Sequence, residues 1–359
     1  MILDDLQRFR QIDTQDMLGE IQRLPDQLQT AWELGQRLPL PNLPKPASES
    51  LTQIVIAGMG GSAIAGDLLA AFALDSCRVP IYVHRDYGLP AFAQGRQVMV
   101  IASSHSGETE ETLDAFDVAL KQDCTVLALC TGGELSRRAR GENVPVWPFE
   151  HKGQPRAAIG FSFGLLLALI ARLRLIPDPA PQIQDTVAAM KRTDELSRPE
   201  VPAAQNPAKR YGGQLMGRWV TVLGSGLLAP VARRWKTQIN EIAKAGAGFE
   251  ALPEADHNAL AGTTHPEEIL SPHTLTIFLR ANSDHPRNRL RSDLTRKAFM
   301  LDGLNTDYID GRGKTPLAHM WTLILFGDYM AWYLAMAYGV DPTPVQALVE
   351  FKASLKSQA

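Results

Sequence analysis

Two short segments of the sequence carry groups well suited to hold an anion. The first, IAGMGGSAIAG, leads from an apolar run through Gly58, Gly60 and Gly61 to Ser62 and a predicted helix. Bare backbone N–H groups at the start of a helix, at the positive end of its dipole, bind phosphate well. Taken alone, a glycine turn of this kind is equally consistent with a purely structural connection.

The second segment, SSHSGETEET, favours phosphate binding. It follows the apolar run QVMVIA and places Ser103, Ser104, Ser106 and Thr109 at the carboxyl end of a predicted strand, where α/β sheets bind ligands. Hydroxyl groups donate hydrogen bonds to a phosphate without adding charge. One such hydroxyl could simply cap the following helix, but capping does not account for four of them.

Other polar residues stand out by type, although the pattern alone gives them no role. Glu241 shares a predicted helix face with Arg234 and Gln238, opposite an apolar face, and a charged residue there is ordinarily solvated. His257 lies after a strand and a proline in FEALPEADHNAL, and Arg156 precedes a long apolar helix. Each is also consistent with an ordinary exposed side chain.

Strand and helix patterns alternate along the chain, and the second series repeats the first. WVTVLGSGLLAP, FEALPEAD and TLTIFLRANSD echo QIVIAGMGGSA, PIYVHRD and VMVIASSHSG in the same order. The alternation predicts an α/β protein with parallel sheets flanked by helices, and the repeat predicts two copies of one unit with a cleft between them. The predicted parts are an N-terminal helical segment and linker (1–50), a first domain (51–155), a connecting helix and linker (156–207), a second domain (208–340) and a C-terminal helix (341–359).

Composition excludes several classes of function. The 36 Lys and Arg residues nearly balance the 39 Asp and Glu residues, so neither nucleic acid nor a membrane is predicted as a partner. Three cysteines without metal-like or disulfide-like spacing, and an N-terminus without an apolar signal core, predict a cytoplasmic protein. The histidines are scattered without an H-x-x-x-H pair, so we predict neither a metal nor another cofactor.

The two anion-binding segments also carry a family resemblance. G-M-G-G-S followed by S-x-S-G-x-T-x-E-T resembles the sugar isomerase (SIS) domain, a flavodoxin-like unit that binds phosphosugars. From about Leu51 to Leu355, the duplication and the later motifs are similar to the bifunctional phosphoglucose/phosphomannose isomerases. The resemblance implies two flavodoxin-like SIS domains. It also implies a phosphate site formed by Gly60, Gly61, Ser62, Ser104, Ser106 and Thr109.

This resemblance implies an activity and roles for individual residues. Members of the family interconvert glucose 6-phosphate and mannose 6-phosphate with fructose 6-phosphate through a cis-enediol, without a metal. N-E-x-A-K then places the proton-carrying base at Glu241, and P-R-x-A-x-G places an enediolate-facing arginine at Arg156. By the same likeness Lys352 reaches the site from the C-terminal helix, and Thr343 contributes to substrate selectivity. The ring-opening histidine falls on His257 and is supplied by the neighbouring subunit, which implies a homodimer.

The loop around His257 departs from the family pattern P-E-L-N-H-N-E. It reads P-E-A-D-H-N-A, so that Ala255, Asp256 and Ala259 replace Leu, Asn and Glu. Two alternatives to the isomerase therefore stay open. One is a non-catalytic phosphosugar sensor, and the other is a different SIS-type sugar-phosphate enzyme, such as an amino-sugar isomerase.

Overall fold

A computed structural model describes residues 2–43 and 46–358 of the chain. Its strands form two separate parallel sheets. The strands of the first sheet are β1 Gln53–Ala57, β2 Ile81–His84, β3 Val98–Ser103, β4 Thr125–Cys130 and β5 Val146–Pro148. Those of the second sheet are β6 Trp219–Ser225, β7 Ala247–Leu252, β8 Thr274–Arg280 and β9 Thr306–Asp310.

The two sheets share one topology. The first has the order β2-β1-β3-β4-β5 and the second the order β7-β6-β8-β9, with every pairing parallel. The first order is that of flavodoxin-like folds, and the second matches its first four strands. The prediction of two α/β units with parallel sheets is confirmed. In such sheets ligands bind beyond the carboxyl ends of the strands, where neighbouring connections leave in opposite directions.

Helices cover the sheets and join them. The helices before the first sheet are α1 Leu6–Ile12, α2 Met17–Gln22, α3 Leu24–Gly35 and α4 Ala47–Ser50. Within and after it come α5 Gly60–Ala73, α6 Glu110–Lys121, α7 Gly133–Gly141, α8 Ile159–Arg172 and α9 Ala180–Ser197. The rest are α10 Pro207–Gln214, α11 Ala229–Ala243, α12 Glu267–His273, α13 Pro286–Leu301, α14 Pro316–Tyr338 and α15 Gln346–Gln358.

One apolar core runs through both halves of the molecule. Helix α14 is buried at every residue from Leu317 to Ala337, and α8 is buried along nearly its whole length. A helix that is apolar on all sides belongs in the centre of a protein, so these two helices are surrounded by others. Side chains from the two sheets and from the N-terminal helices join the same cluster. The functional residues therefore stand on a single rigid support.

The N-terminal segment, predicted to be helical, contains the separate helices α1, α2 and α3. Residues Asp13 to Asp16 separate α1 from α2, and Arg23 separates α2 from α3. The Asp13 carboxylate accepts hydrogen bonds from the backbone N–H groups of Met17 and Leu18, and Asp16, at a φ of 57°, accepts one from Gly19. Carboxylates that satisfy the first N–H groups of a helix fix where it begins. The interruption between α1 and α2 follows from these acidic caps.

The region predicted as a connecting helix and linker (156–207) contains α8 and a second helix, α9, in its polar, proline-rich part. Pro177 and Pro179 precede α9 and Pro181 lies in its first turn, where a missing N–H is tolerated, while Pro199, Pro202 and Pro207 follow it. The helix packs against α14, and the Asp194 carboxylate accepts a hydrogen bond from the Tyr329 hydroxyl at 2.5 Å. Burial against a partner distant in sequence stabilises a helix that local composition did not indicate.

None of the helices in the described ranges combines the length and the apolar character needed to cross a bilayer.

Candidate active site

The glycine turn lies where β1 and β3 end side by side. A Cβ atom on Gly58 would lie 2.6 Å from the carbonyl oxygen of Ser103, so only glycine allows the two strand ends to approach this closely. Gly60 has a φ of +50° and opens α5, and its Cβ position faces empty space. Ser62 is buried in the first turn of α5. The arrangement leaves backbone N–H groups at a helix N-terminus open to an anion.

Gly61 connects this turn to a second part of the candidate site. A Cβ atom at Gly61 would lie 2.9 Å from the carbonyl oxygen of Pro155 and 3.5 Å from the Cα atom of Arg156. The start of α5 therefore packs directly on the turn that carries Arg156. This contact places the anion-binding turn beside the arginine.

The serine loop follows β3 and runs beside the glycine turn. The hydroxyl oxygens of Ser104 and Thr109 lie 2.8 Å apart, and Ser104 Oγ also accepts the Gly107 N–H at 3.1 Å. Ser106 is exposed, and its hydroxyl accepts the Glu108 N–H at 3.2 Å. Thr109 occupies the N-cap position of α6 but makes no side-chain capping bond. Capping by Thr109 therefore does not explain this set of hydroxyls.

Arg156 is held at the start of α8 with its side chain almost fully buried. Its Nη2 atom donates to the carbonyl oxygens of Pro342, at 2.9 Å, and of Thr343. Burial lowers the pKa of Arg156, and the nearby Glu241 carboxylate opposes that effect. The structure thus contradicts the alternative of a solvated surface arginine. A buried guanidinium retained in this way can stabilise negative charge that develops beside it.

Glu241 lies next to this guanidinium. Its Oε2 atom is 3.6 Å from Nη1 of Arg156, and its side chain is 30% exposed. The carboxylate is therefore open on one side and faces a cation on the other. Thr343 completes the group because its carbonyl oxygen accepts from Arg156 and its buried hydroxyl has no protein partner. The structure brings Glu241, Arg156 and Thr343 together.

Next to this group lies a buried ion pair, Arg234 and Asp328, that the sequence did not predict. Arg234 donates from Nη2 to the carbonyl oxygen of Arg156, at 2.8 Å, and to Oδ2 of Asp328, at 2.9 Å. Both side chains are at most 5% exposed, and burial raises the pKa of Asp328 while Arg234 opposes the rise. Arg234 and Glu241 share a helix face, which was the available signal. Asp328 lies within the apolar α14, where a single carboxylate requires a buried cation.

Several buried polar atoms in this region have no partner. They are Nε of Arg156, Nε of Arg234, Oε1 of Gln238, Oδ1 of Asp328 and Oγ1 of Thr343. Buried polar atoms in proteins are normally satisfied by protein, water or ligand. Their concentration near two carboxylates and two guanidinium groups is typical of a site that binds polar molecules.

Lys244 is a second residue whose position the sequence did not reveal. It ends α11 in the left-handed conformation, and its ammonium group donates to the carbonyl oxygens of Glu241, Ile242 and Asp341. Burial, and then the charge of Arg156, lower the pKa of Lys244 to about 8. Lys244 therefore ties the helix that carries Glu241 to the segment that carries Thr343.

Two residues assigned by resemblance, His257 and Lys352, are exposed. His257 is exposed in the 3-10 turn Glu254–His257 that follows β7, and Lys352 is exposed on α15. Within the described chain, neither makes a hydrogen bond or an ion pair with Arg156 or Glu241. The neighbouring Asp256 carboxylate bonds Arg291 at 2.8 Å and Thr295 at 2.6 Å, so α13 holds it rather than His257. Of the four predicted catalytic residues, Arg156 and Glu241 are the two joined by an ion pair among the described residues.

Over residues 2–43 and 46–358, no three His, Cys, Asp or Glu side chains converge in a way that would hold an ion.

The sequence is similar to a known family and to several named proteins. Residues 204–355 match a family described as the bacterial phospho-glucose isomerase C-terminal SIS domain. A bifunctional phosphoglucose/phosphomannose isomerase of Caldicellulosiruptor bescii is 39% identical over 94% of this chain and 98% of its own. One of the same name from Aquifex aeolicus is 32% identical over 85% of this chain and 91% of its own.

Solved structures with the same architecture are more distant in sequence. A hypothetical protein from Thermus thermophilus superposes with a TM-score of 0.75 over 98% of this chain and 94% of its own, at 15% identity. Similarity at that level supports the fold.

Proposed function

Because the chain belongs to the family of bifunctional phosphoglucose/phosphomannose isomerases, we propose that it interconverts glucose 6-phosphate and mannose 6-phosphate with fructose 6-phosphate. The observation that carries this proposal is the contact between Glu241 and Arg156, whose side chains lie 3.6 Å apart. Proton transfer through an enediolate needs a base beside the reacting carbons and a cation beside the developing oxyanion. These two residues supply that pair.

The phosphate group of the sugar would occupy the first sheet's carboxyl end. Backbone N–H groups of Gly60 and Gly61 would receive it together with the hydroxyls of Ser62, Ser104, Ser106 and Thr109. Because Gly61 packs against the Arg156 turn, a phosphate held there lies at a fixed separation from the arginine. Positioning of this kind lets binding energy from a remote group serve the chemical step.

Isomerisation then follows from the remaining residues. His257 opens the ring, and Glu241 takes the proton from C2 of the aldose and returns it to C1. The hydroxyl proton moves from O2 to O1, which leaves the carbonyl group at C2. Arg156 and Lys352 stabilise the enediolate between these steps. Since C2 becomes planar, either epimer can form from the same intermediate, and Thr343 is positioned to influence which one is favoured.

This route uses a carboxylate, an imidazole and cationic side chains, and we propose that it needs neither a metal nor an organic cofactor. Phosphosugars are its small-molecule partners, and no role with nucleic acid or membranes is proposed. A cytoplasmic location fits phosphorylated hexoses as substrates and the free thiols of Cys77, Cys124 and Cys130.

A homodimer would complete the site. His257 and Lys352 are both exposed, and neither forms a hydrogen bond or ion pair with Arg156 or Glu241 among the described residues. In a symmetric dimer the same surface of each subunit can deliver such a residue to the other. We propose that His257 crosses the interface in this way.

A coupled assay on each hexose phosphate tests the proposed activity. The wild-type protein is expected to form fructose 6-phosphate from both glucose 6-phosphate and mannose 6-phosphate, with unchanged turnover after EDTA treatment. If the protein binds phosphosugars but converts none of them, the isomerase proposal is wrong and a non-catalytic phosphosugar sensor becomes the better proposal. Loss of turnover in EDTA, restored by a divalent cation, would contradict the metal-free route.

A further inference from the structure

A chain of three titratable side chains reaches the phosphate loop from the N-terminal segment. His105 lies between Ser104 and Ser106, and its Nε2 atom is 2.9 Å from Nδ1 of His151. The Nε2 atom of His151 is in turn 3.0 Å from a carboxylate oxygen of Glu20 on α2. The side chains of His151 and Glu20 are 7% and 18% exposed, so these bonds are shielded from water.

The Glu20 carboxylate sets the direction of every hydrogen bond in the chain. An ionised carboxylate only accepts, so Nε2 of His151 carries a proton and donates. In the neutral ring Nδ1 then accepts, which requires the proton of His105 to be on Nε2. The remaining nitrogen of His105, Nδ1, is left with a lone pair. It has no hydrogen-bond partner among the described residues and is not one of the fully buried unpartnered atoms, so it is open to solvent or to a ligand.

A single added proton reverses this pattern without breaking the chain. When a proton adds to Nδ1 of His105, the proton on its Nε2 can move across to Nδ1 of His151. His105 is then neutral with an N–H at Nδ1, and the charge rests on His151 beside Glu20. The local charge changes from −1 to 0, and the open nitrogen changes from a hydrogen-bond acceptor to a donor.

We propose that Glu20, His151 and His105 form a proton chain that ends in the phosphate loop, and that binding of a phosphate dianion there is accompanied by uptake of one proton by this chain. The proposal rests on the phosphate site described under the proposed function. His105 thereby becomes a further phosphate-binding residue. A dianion favours the protonated chain because it gains a hydrogen-bond donor and because the net charge of the three side chains rises from −1 to 0.

The surroundings favour charge on His151 rather than on His105. Burial, and then the proximity of His151, lower the pKa of His105 to about 4. The hydrogen bond from His151 lowers the pKa of Glu20, although its burial opposes the shift, so the carboxylate stays ionised and ready to pair with an imidazolium.

The other groups around the chain do not replace Glu20 in this role. Phe149 and Phe161 face the two rings, and Arg23, which directly follows α2, bonds Glu20 at 3.0 Å and lies 3.5 Å from Asp16. Of the charged residues close to the two histidines in sequence, Glu150 and Lys152 are exposed, and Glu108 accepts the Glu134 N–H.

Calorimetry in buffers of different ionisation heat measures this proton directly. The probe is a hexitol 6-phosphate, an open-chain phosphosugar that has no carbonyl group and cannot isomerise. A phosphate monoester has a second pKa of about 6, so at a pH about two units higher it arrives as a dianion and any proton taken up belongs to the protein. Wild type is expected to bind the probe with uptake of up to one proton, in a fraction that rises as pH falls.

Two variants and a control separate this mechanism from a structural effect. Glu20→Gln keeps the shape of the chain but removes its anion, and His105→Phe removes both ring nitrogens. Each is expected to abolish the proton uptake and to weaken binding by about tenfold, the effect of one charge-assisted hydrogen bond. His273→Gln, which changes an exposed histidine on α12, is expected to match wild type.

Two results would overturn the proposal in distinguishable ways. If wild type and both variants bind the probe with equal proton uptake, the proton chain is wrong while the phosphate site stands. If the probe binds to none of the proteins, the phosphate site itself fails, and the chain with it. Should one variant not fold, which a thermal unfolding scan reveals, the other gives the same comparison.

Discussion

Four side chains make up the centre of the candidate site, and each is defined by its immediate environment. Glu241 is a carboxylate with one open side, and Arg156 is a buried cation 3.6 Å away. Thr343 has a buried hydroxyl with no hydrogen-bond partner. Lys244 donates hydrogen bonds to the backbone carbonyl oxygens of Glu241 and Asp341. A base and a cation that are fixed before the substrate arrives do not have to reorganise during reaction, which is the main source of electrostatic catalysis.

His105 makes a prediction about stability against pH. Its pKa in the folded protein is about 4, below the ordinary 6.5, so the unfolded chain binds more protons between these values. This residue's contribution to stability is therefore complete above pH 6.5 and is lost as pH falls toward 4. His105→Gln is expected to flatten the fall of the unfolding temperature across that window. Thermal unfolding of wild type and variant at several pH values measures the effect, with His273→Gln as control; parallel curves for wild type and His105→Gln would contradict it.

At the scale of elements, the site depends on close contact between parts that are distant in sequence. The start of α5 packs on the Arg156 turn through Gly61, and α11 and α14 are joined by the Arg234 and Asp328 pair. The residues of that pair are 94 positions apart. Local patterns predict where a helix starts and which face is apolar, but they do not indicate which helix will supply a buried partner.

The contact at Gly61 predicts a defect in both binding and turnover. In Gly61→Ala the new Cβ atom would lie 2.9 Å from the Pro155 carbonyl oxygen, so either α5 or the Arg156 turn must move. We expect a destabilisation of about 1–3 kcal/mol, a raised KM for the hexose phosphates and a lowered kcat. Gly141→Ala, at a helical glycine with open space around it, is the matched control and is expected to leave both constants unchanged. Wild-type kinetics for Gly61→Ala would show that the contact does not position the site.

The buried pair predicts a large loss of stability. Asp328→Asn leaves the Arg234 guanidinium buried without its counter-charge, which costs about 3–5 kcal/mol. Asp117→Asn removes one of two carboxylate partners of Arg138, in an ion pair whose side chains are 33% and 40% exposed, and a loss of less than about 1 kcal/mol is expected there. Chemical denaturation of both variants gives the comparison. Equal small losses would mean that the buried pair does not hold α11 against α14.

Over the whole molecule, the sequence predicted the two parallel sheets and the loops at their carboxyl ends well. Strands such as Val98–Ser103 are buried throughout and form continuous apolar runs in the sequence, and Gly58 and Ser104 directly follow such runs. Helix α9 was not predicted, because its polar sequence does not indicate that it packs against α14. The sequence also missed Arg234, because a charged residue on a helix is usually exposed.

The proposed dimer predicts complementation between two inactive variants. Glu241→Gln loses the base of its own site, and His257→Gln loses the histidine that it lends to the partner. When the two variants are mixed so that subunits exchange, each mixed dimer regains one site with both residues intact. About half of the dimers are mixed, so about a quarter of wild-type activity is expected. A mixture as inactive as its components, with subunit exchange verified by labelled subunits, would place His257 in its own chain's site or outside catalysis.

The most direct test of the central claim, that Glu241 carries the proton, separates binding from chemistry in one variant. Glu241→Gln keeps the size and the hydrogen-bonding reach of the side chain but cannot act as a base. We predict that it binds a hexitol 6-phosphate nearly as well as wild type, while single-turnover conversion of fructose 6-phosphate falls by about 10²- to 10⁴-fold. Glu250→Gln, at an exposed glutamate on β7, is expected to retain full conversion. Conversion by Glu241→Gln within about tenfold of wild type would contradict the account.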